Sequence, residues 1–301
     1  MTSTTASLPA NKAGRKTRMK STGRSAMDGG SLAKYVILVA VSLVMLFPIY
    51  WIVASSLKTL SGISSSPPIF FPTDPQWQNY LAIFQKPNVM TYLRNSAILV
   101  FANTAFTLIS SSLVAYPLAR MRFLGRGAIF ALILATMMVP SVTVVLPQFL
   151  LFREFGWLDS LLPMIIPSLF AAPYNVFLFR QFFMTIPVSV DEAARLDGCT
   201  RFGVFFRIIV PLAKPIFITV GVLSAISWWN ELFLPVIYIN SDALKPLALG
   251  ATTAFIRVGG MGIHEWHEQM AFAMLMAVPP MITYAIASRY ISGGIKTTGS
   301  K

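Results

Sequence analysis

The chain has 301 residues, 55% of them hydrophobic and only 12% charged, with a mean hydropathy of +0.66. Soluble domains carry about 25% charged residues, so this composition excludes a water-soluble fold of that size and indicates an integral membrane protein built from apolar helices. The formal net charge of +13 gathers near the N-terminus, and the single cysteine, Cys199, excludes an internal disulfide.

Residues 1–31 are rich in Ser, Thr, Gly and basic residues, including Lys12, Arg15, Lys16, Arg18, Lys20 and Arg24. Such a segment buries too little apolar surface to fold, and it reads as a disordered basic tail. The apolar run that follows is long enough to span and has no A-x-A-like site after it, so no cleaved signal peptide is read here. Residues 32–301 form the transmembrane domain. A span needs roughly 20 apolar residues, and six stretches qualify: 35–57, 93–118, 127–152, 163–184, 214–237 and 268–291.

Proline interrupts several of them. Pro48 lies in the first, Pro140 and Pro147 in the third, Pro167 and Pro173 in the fourth, and Pro279-Pro280 in the sixth. The second is polar for a membrane segment, with Asn95, Asn103, Ser110, Ser111 and Ser112; small hydroxylated residues favour close helix packing. Arg180 near the end of the fourth is placed to snorkel to the interface. Lys58 to Thr91 reads as a proline-rich outer loop, and Tyr238 to His267 as another. Arg120, Arg122, Arg126, Arg195, Arg201, Arg207, Lys296 and Lys301 fall on one side with the basic tail, which sets an N-in, C-in topology.

Between the fourth and fifth spans lies a mixed segment, 185–213. Asp191 to Asp197 carries a helical pattern that Gly198 ends. A second short helix is read over Phe202 to Ile209, stopping at Pro211. The residues Glu192-Ala193-Ala194, Gly198, Ile208 and Pro211 resemble the EAA motif of permease subunits of bacterial ABC importers, with Val210 standing where the family usually has Leu. The likeness extends over nearly everything after residue 34. Pro48, Trp51 and Ser55-Ser56-Leu57-Lys58 resemble the first-span ending of carbohydrate importer permeases. Arg94-Asn95-Ser96, Ala115-Tyr116-Pro117-Leu118-Ala119-Arg120 and Trp229-Asn230-Glu231 resemble their second-span and fifth-span signatures. Together these are similar to the second permease subunit of maltose-type importers.

That resemblance implies an all-α, MetI-like transporter core of the later five spans in the inner membrane. It also implies a sister permease, two ATP-binding subunits, an extracytoplasmic solute-binding protein and a carbohydrate cargo. Glu192, Ala193, Ala194, Leu196, Gly198, Phe202 and Pro211 would then couple to the ATPase. This chain has no G-x-x-x-x-G-K-[ST] loop; catalysis is expected to be absent, with ATP and Mg held by the partners. Polar residues inside spans tend to face the interior, which nominates Asn103, Gln148, Tyr174, Asn175, Trp229, Asn230 and Glu231 for the solute pathway. Interhelical hydrogen bonding is the competing role for these residues, and Glu231 also fits a structural role near its helix end.

Gly259, Gly260 and Gly262 give the last outer loop freedom to reach a binding protein, as the family's scoop loop does. His264 and His267, three apart, do not make the H-E-x-x-H zinc pattern, and no metal site is expected. The tail lacks interleaved aromatics and is not read as binding nucleic acid; contact with membrane lipid is another role open to it. Two other functions stay open: an ABC permease for a non-sugar solute, and an ion-gradient carrier, for which Glu231 would be the one intramembrane carboxylate.

Overall fold

The structure is a computed structural model, and it describes residues 29–255 and 265–296. The tail, the three glycines 259, 260 and 262, and His264 lie outside the described residues. All regular structure among the described residues is helical. Four helices are by themselves long and apolar enough to cross a membrane, and two bent helix pairs qualify if each is one span.

The chain divides into two units, residues 1–49 and 50–301. The first contains most of α1 (Gly29–Ser56), an apolar helix with Pro48 inside. The rest of α1 belongs to the second unit. There Asn79, buried, donates to the Ser56 and Lys58 carbonyls at 2.8 and 2.9 Å, closing the helix end onto α3. The expected outer loop over 58–91 therefore holds two short helices, α2 (Leu60–Ile63) and α3 (Gln78–Gln85).

The organising helix is α4 (Val89–Arg120), roughly 48 Å long at about 1.5 Å per residue. Its buried face is polar as well as apolar: Asn95, Ser96, Asn103, Thr107, Ser111 and Ser112 are all buried. Asn95 and Ser96 pair with residues 243–247, and Asn103 and Ser111 with the broken helices beside α4. The Asn103 amide donates to the Leu99 carbonyl at 2.8 Å and accepts from the Ser168 hydroxyl. Ser110 donates to the Ser168 carbonyl, and Ser111 accepts the Ala172 amide, both at 3.2 Å. Inside a membrane, unpaired backbone groups cost several kcal/mol each, so this polar face is what permits its neighbours to be irregular.

The third expected span is two helices, α5 (Arg126–Thr136) and α6 (Ser141–Glu154), bent by 91°. Pro140 sits at the break, where it cannot donate to a continuing ladder. The fourth consists of α7 (Leu162–Ile165), a 3₁₀ turn (Ile166–Leu169), and α8 (Pro173–Thr185). The mixed segment folds as α9 (Val188–Leu196), α10 (Arg201–Val204), a π turn (Phe205–Ile209) and α11 (Val210–Leu212). Pro211 does not stop this helix. The widened turn pairs the Val210 amide with the Phe205 carbonyl, and Pro211 then falls in a first helical turn, where its missing N–H is not needed. The real stop is Ala213, with a 77° bend into α12 (Lys214–Trp229).

The fifth span is broken as well: α12 ends at Trp229, and α13 (Phe233–Tyr238) resumes after three residues. The second outer loop then carries a buried helix, α14 (Leu247–Ala254), whose Gly250 packs on the Tyr92 ring. α15 (Trp266–Lys296) closes the fold. At its start, Glu265 and Glu268 flank Lys86 at 2.5 Å each. Burial alone would lower the Lys86 pKa, but the hydrogen bonds and charges of the two carboxylates outweigh it and hold the pKa above the usual 10.5.

Candidate functional site

Two sites are built on α4, one at its C-terminal end and one along its middle. At the end, α9, α10 and the π turn pack their inner faces onto one core cluster with Ala115, Tyr116, Phe183, Ala194, Val204, Phe205 and Ile209. Tyr116 stands between Phe183 and Phe205, with ring centroids 6.4 and 5.0 Å away.

The corner between α9 and α10 follows from its sequence. Gly198 has φ +83°, a conformation that glycine takes without penalty. The Cys199 amide bonds back to the Ala194 carbonyl, and the Gly198 amide to the Arg195 carbonyl, both at 3.0 Å. This is a Schellman ending. Thr200 then accepts the Gly203 amide at 3.1 Å and starts the next helix. The corner leaves a hollow of about 510 Å³ lined by Gly198, Cys199, Thr200, Phe202, Phe206 and Arg207, among others.

The nominated coupling residues divide between two faces. Ala194 is buried at 4% exposure. Glu192, Ala193, Gly198 and Pro211 are exposed, and Leu196 and Phe202 project at 90% and 71%. Phe206 at 59% and Leu212 at 51% extend this apolar outward face. Phe206 was not among the nominated residues, although it lies four residues after Phe202 and so on the same helix face. Exposed apolar side chains grouped in this way suit a contact with protein or with the membrane.

Arg120, the last residue of α4, ties the helix to this segment. Its guanidinium donates to both Asp191 carboxylate oxygens at 2.9 and 3.0 Å. It also reaches the carbonyls of Phe183, Ile186 and Pro187 at 3.2, 2.5 and 2.9 Å. The paired side chains are only 3% and 5% exposed. Arg180, expected to snorkel, instead caps α4: it donates to the Leu118 carbonyl at 3.2 Å and stacks 4.0 Å over Phe130. Leu118 needs this donor because its helix ends two residues later.

Along the middle of α4, the breaks in the neighbouring spans open a cleft of about 790 Å³, within the usual range for a small-molecule site. Ser141 lies just past the α5–α6 break, Phe170 to Ala172 form the α7–α8 break, and Glu231 lies in the α12–α13 break; all line it. Gln148, Tyr174, Asn175 and Glu231 of the nominated pathway residues are brought together here. Asn103, Trp229 and Asn230 are not among the lining residues. Asn103 bonds within and beside α4 as described, and Asn230 donates to the Ile226 carbonyl at 2.8 Å.

Trp229 faces α15 instead, where its indole N–H donates to the Met276 carbonyl at 2.8 Å. Pro280, four residues on, has no N–H to give that carbonyl, so the tryptophan supplies it. The cleft takes Trp228 in its place, with Ser224, Ser227 and Glu231. These four stand at i, i+3, i+4 and i+7, one helix stripe, a signal present in the sequence. Glu231 also caps α13 by accepting the Leu234 amide at 3.0 Å. It is the one carboxylate among the lining residues. Among the described residues no cluster of metal-ligating side chains occurs.

Comparison with known proteins gives one consistent likeness. A family profile described as "Binding-protein-dependent transport system inner membrane component" matches residues 108–296, which hold every cleft-lining residue but Thr107. Sulfoquinovosyl glycerol transport system permease protein SmoH of Agrobacterium fabrum is 32% identical over 257 residues, covering 85% of this chain and 89% of that one. Arabinooligosaccharides transport system permease protein AraQ of Bacillus subtilis is 32% identical over 264 residues, covering 86% and 92%. A crystal structure of a bacterial ABC transporter that imports alginate contains a chain of like fold. Its TM-score is 0.78 at 24% identity, covering 87% of this chain and 96% of that one.

Proposed function

The chain belongs to the family of binding-protein-dependent transport system inner membrane components, and on that premise we propose that it forms one half of the translocation pathway of an ATP-driven carbohydrate importer. It is a multi-pass inner-membrane transport subunit of the ABC permease type. Its partners in this reading are a sister permease, two ATP-binding subunits that hold ATP and Mg, and an extracytoplasmic solute-binding protein. The chain itself performs no catalysis. It spans with both termini inside, so α9 to α11 lie in the cytoplasm, and the glycine-containing segment before α15 faces the binding protein.

One observation carries the reading: α4 connects an aromatic-lined cleft that holds several polar side chains to the outward apolar face of Leu196, Phe202 and Phe206. An importer must let ATPase closure favour one pathway conformation over another, and both ends of that linkage are in this one chain. The cleft suits a sugar because aromatic faces (Trp228, Tyr174, Phe233) stand beside neutral hydrogen-bonding groups (Thr107, Gln148, Asn175, Ser224, Ser227). The apolar face suits an ATPase groove, with Glu192 free to meet a basic side chain there.

The test is uptake by the complete complex in proteoliposomes, with its binding protein and a panel of neutral and acidic oligosaccharides. Uptake of at least one saccharide that requires ATP and the binding protein is the expected result. Uptake driven by an ion gradient without ATP would sink the reading, as would ATP-dependent uptake confined to non-sugar solutes.

A further inference from the structure

We propose that Arg120 is the positioning residue that makes α9 and α4 move as one body, so that displacement of the coupling segment reaches the cleft directly. The inference rests on the importer reading above. The geometry points to it because one buried guanidinium makes five hydrogen bonds to three elements. Two go to Asp191 in the first turn of α9. One goes to Phe183 in α8, and two go to Ile186 and Pro187 in the turn between α8 and α9. Arg is suited to this because its planar fork matches a carboxylate with two parallel bonds.

The position of the pair is as telling as its strength. Asp191 immediately precedes Glu192 and Ala193, so the anchored residue adjoins the outward face. Arg120 ends α4, and Thr107, thirteen residues back on the same helix, lines the cleft, about 20 Å away at the usual rise. No glycine and one proline, Pro117, lie between Thr107 and Arg120. The proline does not end the helix, since the Pro117 carbonyl still accepts the Met121 amide at 3.1 Å. A push on α9 is thereby delivered to a wall of the cleft without passing through a loop.

A fold staple alone would serve assembly, so the test reads cargo delivered per ATP hydrolysed. In the reconstituted complex, Arg120→Lys and Asp191→Asn should lower that ratio by about tenfold or more, a coupling loss of ordinary allosteric size, while hydrolysis continues. A ratio equal to wild type in either variant would overturn the proposal.

A second arm leaves the pair intact and applies even if those variants do not assemble. Arg122→Cys and Ser189→Cys place thiols on exposed positions flanking the pair, in a Cys199→Ser background. Joining them with a short bifunctional thiol reagent should leave uptake within about twofold of the unjoined control, since bodies that move together lose nothing when linked. If linking abolishes uptake while hydrolysis persists, α9 and α4 must move apart and the proposal is wrong. Failure of the importer reading looks different: the unmodified complex would show no ATP-dependent saccharide uptake at all.

Discussion

Replacing Gly198 by alanine should weaken ATPase docking through backbone torsion alone. Gly198 has φ +83°, and a Cβ built on it would meet nothing within 4 Å. The steric contribution is therefore nil, and the whole penalty is that of an L-residue held in the left-handed region, about 1–2 kcal/mol. That corresponds to roughly a 5–30-fold shift between the observed corner and any relaxed alternative. Apparent affinity for the ATP-binding subunit falls with the fraction of competent loop, so titration of that subunit onto the permease pair should show a loss of up to this size. Gly198→Asn should lose less, because asparagine visits this region more readily. Gly203→Ala is the control: its backbone is helical, and the added methyl meets the Thr200 hydroxyl oxygen at 3.3 Å and the Cys199 Cβ at 3.9 Å. If alanine and asparagine at 198 behave alike, or if Gly203→Ala is as damaging, torsion at Gly198 is not what shapes the corner.

Gly250→Ala should destabilise the outer end of α4, because the new Cβ would lie 2.2 Å from the Tyr92 ring, and overpacking of this kind costs about 1–3 kcal/mol. Thermal unfolding of the detergent-solubilised protein reads it, and an unchanged midpoint would contradict the packing described. Trp229→Phe should cost about 1–3 kcal/mol by leaving the Met276 carbonyl unpaired, again as a lower unfolding midpoint. Acid should loosen the outer loops. The Ser241 hydroxyl and the amides of Ser241 and Asn240 hold the Asp159 pKa below 3.8, and Lys245, chiefly, holds Asp242 below it. Both folded-state values are depressed, so their contribution is complete above pH 3.8 and disappears as pH falls through the lower folded values. Pepsin cleavage around 240–245 should rise in that range, and Asp159→Asn should remove part of the pH dependence.

That the chain is built from apolar helices, four of them long enough to cross a membrane by themselves, was legible because apolar runs of twenty residues have few other uses. The corner at Gly198 was legible because one glycine in a helical pattern has a mechanical reason. Three things were not. Proline marked the third and fourth spans as interrupted, but it does not say whether a helix kinks or breaks; in the fourth, Ser110 and Ser111 of α4 stand ready to pair the Ser168 carbonyl and the Ala172 amide. The buried helix α14 was hidden because its residues, Leu247 to Ala254, are too few for a span and lie in a segment otherwise reading as loop. Trp228 and Trp229 were assigned opposite environments by a rotation of about 100°, and a tandem of like residues gives composition alone no means to choose. The periodicity through Ser224, Ser227, Trp228 and Glu231 carried the answer.

The hydrogen bond from Trp229 to Met276 makes two distant positions conditional on each other. Proline at 280 deprives one carbonyl of its partner, and tryptophan at 229 answers that need from another helix. A chain that lost Pro280 to alanine would regain an N–H for its own ladder, and its residue 229 would be freed to vary. A chain that kept Pro280 would tolerate at 229 only a side chain able to donate at the same distance. Tolerance at either position is thus a property of the pair: substitutions tried singly at 229 would make it look indispensable, whereas the same substitutions beside Pro280→Ala would show how much of that requirement is inherited from the proline.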